Sequence, residues 1–284
     1  MKKAILVAVV GCLGMTSSVW ALKAAPGGAG AQQPQLPAAN MWHYSTSIGA
    51  GWIPQYSGSK SYKATPLVNA SAKYNDYRIA LNGSSALTGI NIAANVIPSK
   101  KFHFGPIFVY SFGRDDDTGN AQVNKLTEVD KSLFGGAFAS YNFYKLMNPY
   151  DKLTLRTDVL HDVGGHSQGY VVNLSANYST PLSKKLFIVT GVSARYGSSD
   201  FMESFYGVST TDAANSGISA YKAGASLQSA SVHVTGNYLI NKAWSTFVST
   251  GYTRLLGDAK DSSIVKEVGT ANQFFVGAGV SYRF

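Results

Sequence analysis

The stretch "ANQFFVGAGVSYRF" (271–284) puts Phe274, Val276, Ala278, Val280, Tyr282 and Phe284 on alternate positions, with Gly277, Gly279, Ser281 and Arg283 between them. A period of two marks a β-strand whose faces meet different surroundings. In a soluble sandwich the greasy face would turn to a core. In a membrane barrel it turns to lipid, and the small or polar face lines a lumen.

The same alternation recurs upstream. Residues 42–53, 64–74, 76–82, 89–97, 102–114, 132–143, 152–162, 168–180, 185–197, 226–240 and 243–256 read as strands, which with 271–284 gives about twelve. The connections alternate in length. "YND" (74–76), "PSKK" (98–101), "LSKK" (182–185) and "NK" (241–242) are short, whereas 114–131, 198–225 and 257–270 are long. With an even strand count, all short turns fall on one side and all long loops on the other. That is the pattern of an outer-membrane barrel, with periplasmic turns and external loops.

Parity sorts the side chains. One face carries Tyr44, Ile48, Trp52, Phe104, Leu174, Ile188 and Val248, and is expected to meet lipid. The other face is rich in Gly, Ser and Asn rather than Lys and Glu. A water-exposed sheet normally carries charge, whereas a crowded lumen favours small residues. That face also holds Arg78, Arg156, Asp158, Arg195 and Arg283, so four of the six arginines point inward with one acid among them. Two readings follow. One is a basic, anion-favouring lumen. The other, which we prefer, is an internal hydrogen-bond and ion-pair network that fills a narrow barrel.

Composition agrees with a membrane strand protein. Only 14% of the 284 residues are charged, against about 25% in soluble domains. Beyond the N-terminus no run approaches the roughly 20 apolar residues of a spanning helix. Residues 1–21 read as a signal peptide: Lys2 and Lys3, an apolar core from Ala4 to Met15, and Val19-Trp20-Ala21 before the cut. The apolar run continues past Cys12, which argues against a lipoprotein box there. Cleavage would remove the single cysteine and leave no disulfide or thiolate site. Residues 22–41, rich in Ala, Gly, Pro and Gln, read as a flexible leader, and 42–284 as the barrel. Twelve of the fifteen acids fall in the expected external segments, among them Asp116, Asp162 and Asp212. Eight lysines, Lys73, Lys100, Lys145, Lys152 and Lys185 among them, fall in the expected periplasmic turns.

Three stretches carry a resemblance: "FYGVS" (205–209), "SGISAYKAGA" (216–225) and "YTRLLGDAKDSSIV" (252–265). With them the mature chain, from "SIGAGWIPQYSGS" to the terminal "YRF", resembles the MipA/OmpV family of MltA-interacting outer-membrane proteins. The resemblance implies an outer-membrane barrel surrounded by lipid and lipopolysaccharide. It also implies a scaffold role, joining a murein lytic transglycosylase to a penicillin-binding protein, or roles in adhesion, envelope stress and antibiotic susceptibility. It supplies no catalytic, cofactor or metal residues. In such barrels a terminal aromatic, here Phe284 with Tyr282 behind it, marks the strand that the assembly machinery recognises.

Catalytic and metal chemistry find little footing. In "HDVGGHSQG" (161–169) His166 and Ser167 are adjacent, so on a strand they would face opposite ways, and Gly164-Gly165 reads as a turn. The five histidines are scattered, and Asp115-Asp116-Asp117 lacks the spaced oxygens of a cation loop. No basic stripe or motif points to nucleic acid. The expectation is therefore a non-enzymatic scaffold without cofactors. The alternatives are a narrow solute channel with an arginine-rich lumen, or an adhesin acting through its acidic loops. A plugged lumen would favour the scaffold and an open one the channel.

Overall fold

The computed structural model describes residues 41–82, 89–166 and 168–284. The expected signal peptide, and the leader apart from Met41, lie outside them. The strands are β1 (Trp42–Pro54), β2 (Tyr62–Tyr74), β3 (Tyr77–Asn82), β4 (Gly89–Asn95), β5 (Phe102–Ser111) and β6 (Ser132–Tyr144), followed by β7 (Lys152–Asp162), β8 (Tyr170–Pro181), β9 (Leu186–Gly197), β10 (Ser226–Leu239), β11 (Trp244–Leu255) and β12 (Asn272–Arg283). They close in sequence order into one antiparallel barrel, the architecture read from the alternation.

Closure falls where the opening stretch lies. β12 pairs with β1 from Ser45↔Arg283 to Trp52↔Val276, so neither terminal strand leaves an open edge. An open edge in hydrocarbon would strand backbone groups at several kcal/mol each. After the last ladder pair the Phe284 N–H still donates to the Tyr44 carbonyl at 3.1 Å.

The outer face is apolar and bare: Ile48, Phe104, Leu174, Val248 and Phe274 are exposed, and Ile188 is half-exposed. The inner face uses glycine to make room. A Cβ on Gly279 would sit 2.7 Å from the Phe247 ring, and one on Gly277 2.8 Å from Leu67. Large inward side chains thus lie flat over glycine backbone on neighbouring strands, which is why this face is rich in small residues.

The short turns repeat one device. Ser99 Oγ accepts the N–H groups of Lys101 (3.2 Å) and Phe102 (3.1 Å). Ser183 Oγ does the same for Lys185 (3.2 Å) and Leu186 (3.1 Å), and Asn241 Oδ1 for Ala243 (2.9 Å) and Trp244 (2.8 Å). Each side chain replaces a ladder partner while the chain reverses. In the turn before β7, Asp151 accepts from the N–H groups of Leu146 (2.7 Å), Met147 (2.7 Å) and Asn148 (3.1 Å), and from the Tyr178 hydroxyl (2.7 Å).

One strand ends earlier than its sequence implies. Residues 102–114 read as a continuous strand, but β5 stops at Ser111. Gly113 takes φ 64°, and a Cβ there would strike the Val129 carbonyl. The chain leaves the wall, and Arg114 pairs with Val129 inside the loop instead.

Candidate functional site

The long connections are not simple loops. Residues 198–225 form α1 (Ser199–Tyr206) and α2 (Thr210–Ser216), and residues 256–271 form α3 (Gly257–Asp261) and α4 (Ser263–Glu267). A 3-10 turn at Val123–Lys125 lies in the connection after β5. Ser198 caps α1 and ties it to the wall, its Oγ accepting from Phe201 N (3.4 Å) and Tyr170 N (2.9 Å). Ser209 caps α2 by accepting from Asp212 N at 3.0 Å.

These pieces share a core with the barrel. Phe201, Met202 and Tyr206 of α1 cluster with the inward residues Val109, Phe134 and Leu160. Met202, Tyr206 and Phe134 are all 0% exposed. A second cluster joins Tyr56, Val123, Leu126, Val208, Ile218 and Ile264, which come from four different connections. The loop half of the lumen is therefore filled with apolar side chains. Some polar groups inside it are paired, whereas Tyr56 Oη and Gln228 Oε1 are buried without a hydrogen-bond partner. Tyr206 Oη accepts from Gln228 Nε2 at 2.6 Å and shares a hydrogen bond with Ser57 Oγ at 2.6 Å. Burial raises the pKa of this phenol and keeps it neutral. Arg114, also buried, donates to the carbonyls of Phe205 (3.3 Å) and Thr127 (3.2 Å).

Several acids expected to be solvated loop residues serve as internal pins. Asp212 accepts from both N and Oγ1 of Thr127, each at 2.8 Å, and from Ser209 Oγ at 2.9 Å. Burial pushes its pKa upward, but these hydrogen bonds outweigh burial and hold the carboxyl below the ordinary range. Glu203 accepts from Ala223 N (2.7 Å), and Asp258 from Gly224 N (2.5 Å). Asp162, counted among the external acids, is the last residue of β7, where the strand read at 152–162 ends. It accepts from Ser132 Oγ and from the N–H groups of Gly164 (2.9 Å), His166 (3.1 Å) and Gln168 (2.9 Å). The "HDVGGHSQG" stretch is thus a turn organised around a carboxylate. Ser167, weighed above as a nucleophile, lies outside the described residues.

The turn half of the lumen is different. Arg78 lies between exposed Tyr77 and Ile79, on the inward face, with Lys73 as its register partner on β2 and Asn95 on β4. Arg156 donates from Nε to Asp158 Oδ1 at 2.8 Å, with Nη2 2.6 Å from the same oxygen, and its guanidinium lies 4.1 Å from the Phe138 ring centroid. Arg78 and Arg156 are near enough for their charges to interact. The other predicted residues lie apart from this pair. Arg195, towards the loop end, donates to Asn173 Oδ1 at 3.0 Å. Arg283 lies opposite Ser45 near the turn end. Tyr282 packs between Trp244 and Phe284, with ring centroids 4.7 Å away on both sides.

Two lysines are counted twice by the sequence reading. Lys73 and Lys152 are assigned to the periplasmic turns although they fall within the strands read at 64–74 and 152–162, and the structure has them in β2 and β7 on their inward faces. Extending the parity of Leu67 and Leu160 along each strand would have found them. Arg114 carried no such signal, because its burial depends on loops distant in sequence.

The fold is a β-barrel of the outer-membrane type whose described long connections pack an apolar core at one end. A family model described as MltA-interacting protein MipA matches residues 47–284, and the chain belongs to that family. The MltA-interacting protein of Escherichia coli K12 is 25% identical over 169 residues, 59% of this chain and 63% of that relative. Outer membrane protein Omp26La of Vibrio anguillarum is 33% identical over 132 residues, 46% of this chain and 49% of its own. The aligned region thus spans about half to somewhat under two thirds of these relatives. Among solved structures, the NanC porin aligns with TM-score 0.46 and 9% identity over 84% of this chain and 98% of its own. An outer-membrane channel from Pseudomonas putida F1 aligns with TM-score 0.42 and 13% identity over 90% and 100%.

Proposed function

We propose that this protein is a structural barrel of the outer membrane that docks cell-wall enzymes on its turn side, rather than an open pore or an enzyme. The observation that carries the reading is the apolar core in the loop half of the lumen. A path for hydrated solutes would have to cross Phe134, Phe201, Met202 and Tyr206, all fully or nearly fully buried. The partners this reading expects are a murein lytic transglycosylase, in keeping with the name of the Escherichia coli relative, and a penicillin-binding protein. The basic short turns, with Lys100, Lys101, Lys184 and Lys185, offer complementarity to an acidic partner surface. Export through the N-terminal signal, and a lipid and lipopolysaccharide surround, belong to the same proposal.

The test is crosslinking in intact envelopes from probes placed at Lys184 and Lys242, with a probe at Lys125 as the loop-side control. Capture of murein-processing enzymes from the turn positions alone supports docking. Capture from neither side, together with steady ion conductance in planar bilayers, would favour the channel. The adhesin alternative is weakened by Asp162, Glu203, Asp212 and Asp258, which spend their oxygens on the protein's own backbone and hydroxyl groups.

A further inference from the structure

Lys73, Arg78, His103, Lys152 and Arg156 come from β2, β3, β5 and β7 and all face inward in the turn half. Register brings two pairs of them together. Lys73 is directly opposite Arg78, and His103 and Arg156 both flank Ser140 of β6. Lys152 lies one turn-ward step beyond Thr154 on the face of Arg156, close enough to interact electrostatically with both Arg78 and Lys73. The acid within this lumen wall is Asp158, already engaged by Arg156 at 2.6 Å. Asp76, in the turn, faces Lys73 from the barrel end. Arg78 and Lys152 therefore stand among like charges without an acid of their own among the described residues.

Like charges placed directly across a ladder destabilise the pair. A wall that nonetheless places a guanidinium opposite an ammonium on β2 and β3, with a second ammonium on β7 within electrostatic reach, is matched to negative charge brought from outside. The surroundings favour this. The barrel wall is a low-dielectric sleeve, which focuses the field of the charges it encloses. The basic side chains are half-buried, so water reaches them, whereas Val109, Phe134 and Leu160 above them are 0–1% exposed. Among the described residues the apolar core lies on the loop side of these groups, which leaves the turn side as their approach. A guanidinium fork flanked by ammoniums suits an oxyanion with several charged oxygens better than a monovalent halide.

We propose that the turn half of the lumen is a blind-ended binding site for a multivalent oxyanion, a polycarboxylate or polyphosphate, held by Lys73, Arg78 and Lys152. The site binds its ligand without passing it. It is independent of the docking reading, which rests on the loop core, so either can fail alone.

The experiment titrates the full mature chain, folded in detergent, with citrate and with pyrophosphate at constant ionic strength, using sodium chloride as reference and calorimetry as readout. Citrate alone, pyrophosphate alone, or both binding saturably at one site per chain supports the proposal, and the pattern tells carboxylate from phosphate. Arg78→Gln and Lys152→Gln should each weaken binding at least tenfold, and the turn variant Lys184→Gln/Lys185→Gln less than twofold. The heat-modifiable gel shift checks folding. If Arg78→Gln does not fold, Lys73→Gln together with Lys152→Gln replaces it. Absence of saturable binding by either probe overturns the proposal. So does equal weakening by the Lys184/Lys185 variant, which would mean diffuse attraction to a basic rim.

Discussion

The two halves of this barrel share the same strands and differ in almost everything inside them. Towards the loops, inward positions carry Val109, Phe134, Leu160 and Val171 packed against α1. Towards the turns, β5, β7 and β8 carry His103, Arg156 and Asn177, each only partly buried, while Ser140 of β6 is buried. The difference teaches that a barrel wall does not dictate its lumen. The wall satisfies its own backbone, and each end is then free to be filled by core or left wet.

The sharpest way to break the contrast is to empty the loop core. Tyr206→Ala should cost the loop assembly about 3–5 kcal/mol, the usual penalty for deleting a fully buried aromatic. The wall is expected to stay closed, because its ladders do not pass through α1. Rapid proteolysis within 198–225, with the gel shift of the folded barrel intact, is the predicted result. Bilayer conductance should rise at the same time. A variant that unfolds the whole barrel would show that the two halves are one cooperative unit.

A smaller effect is expected from Asp212→Asn, about 1–3 kcal/mol, because the amide's NH₂ would face donors on Thr127 or Ser209. The same carboxylate gives the loop half a pH dependence. Its pKa is lowered in the folded state, so its contribution is complete above the unfolded value of about 3.9 and is lost as pH falls through the folded value. Protease resistance of the loops should therefore decline below about pH 4 in the wild type, and less steeply in Asp212→Asn.

At the other end, deleting Phe284 removes the ring contact with Tyr282 at 4.7 Å and the N–H bond to Tyr44 at 3.1 Å. Together these amount to about 1–3 kcal/mol at the closing seam. The folded fraction after refolding into lipid should fall well below that of Asp116→Ala, an exposed loop carboxylate expected to change stability by less than about 0.5 kcal/mol. Equal folded fractions would make the terminal aromatic incidental. The smallest change that still sharpens the comparison is Ser183→Ala. It leaves the N–H groups of Lys185 and Leu186 to water and should cost about 1 kcal/mol or less, seen as a slightly lower denaturant midpoint without loss of loop protection.

Much of this was legible in the chain. Alternation is a local signal, repeated every second residue, and it marked out all twelve strands to within a few positions except where Gly113 turns β5 inward. The alternation of short and long connections likewise separated the two ends. Lys73 and Lys152 were counted with the turns because a strand's terminal residues look like turn residues until the ladder partner fixes their face. The stretches that carried the family resemblance, 205–209, 216–225 and 252–265, read only as fingerprints. In the folded molecule they supply Tyr206, Val208, Ile218, Ala223, Leu255, Ala259, Ile264 and Val265 to the loop core.

The sequence by itself determined the barrel, its twelve strands, its apolar outer face and the gathering of short turns at one end and long connections at the other, because period-two patterning and loop length are written along the chain. Only the tertiary structure decided that the long connections share an apolar core with the barrel and that Lys73, Arg78 and Lys152 come within electrostatic reach of one another. One of its clusters joins Tyr56, Val123, Val208 and Ile264 across about 200 residues of chain, and no local period reports contacts of that range. The basic cluster depends on ladder register between strands, which becomes definite only when the barrel closes.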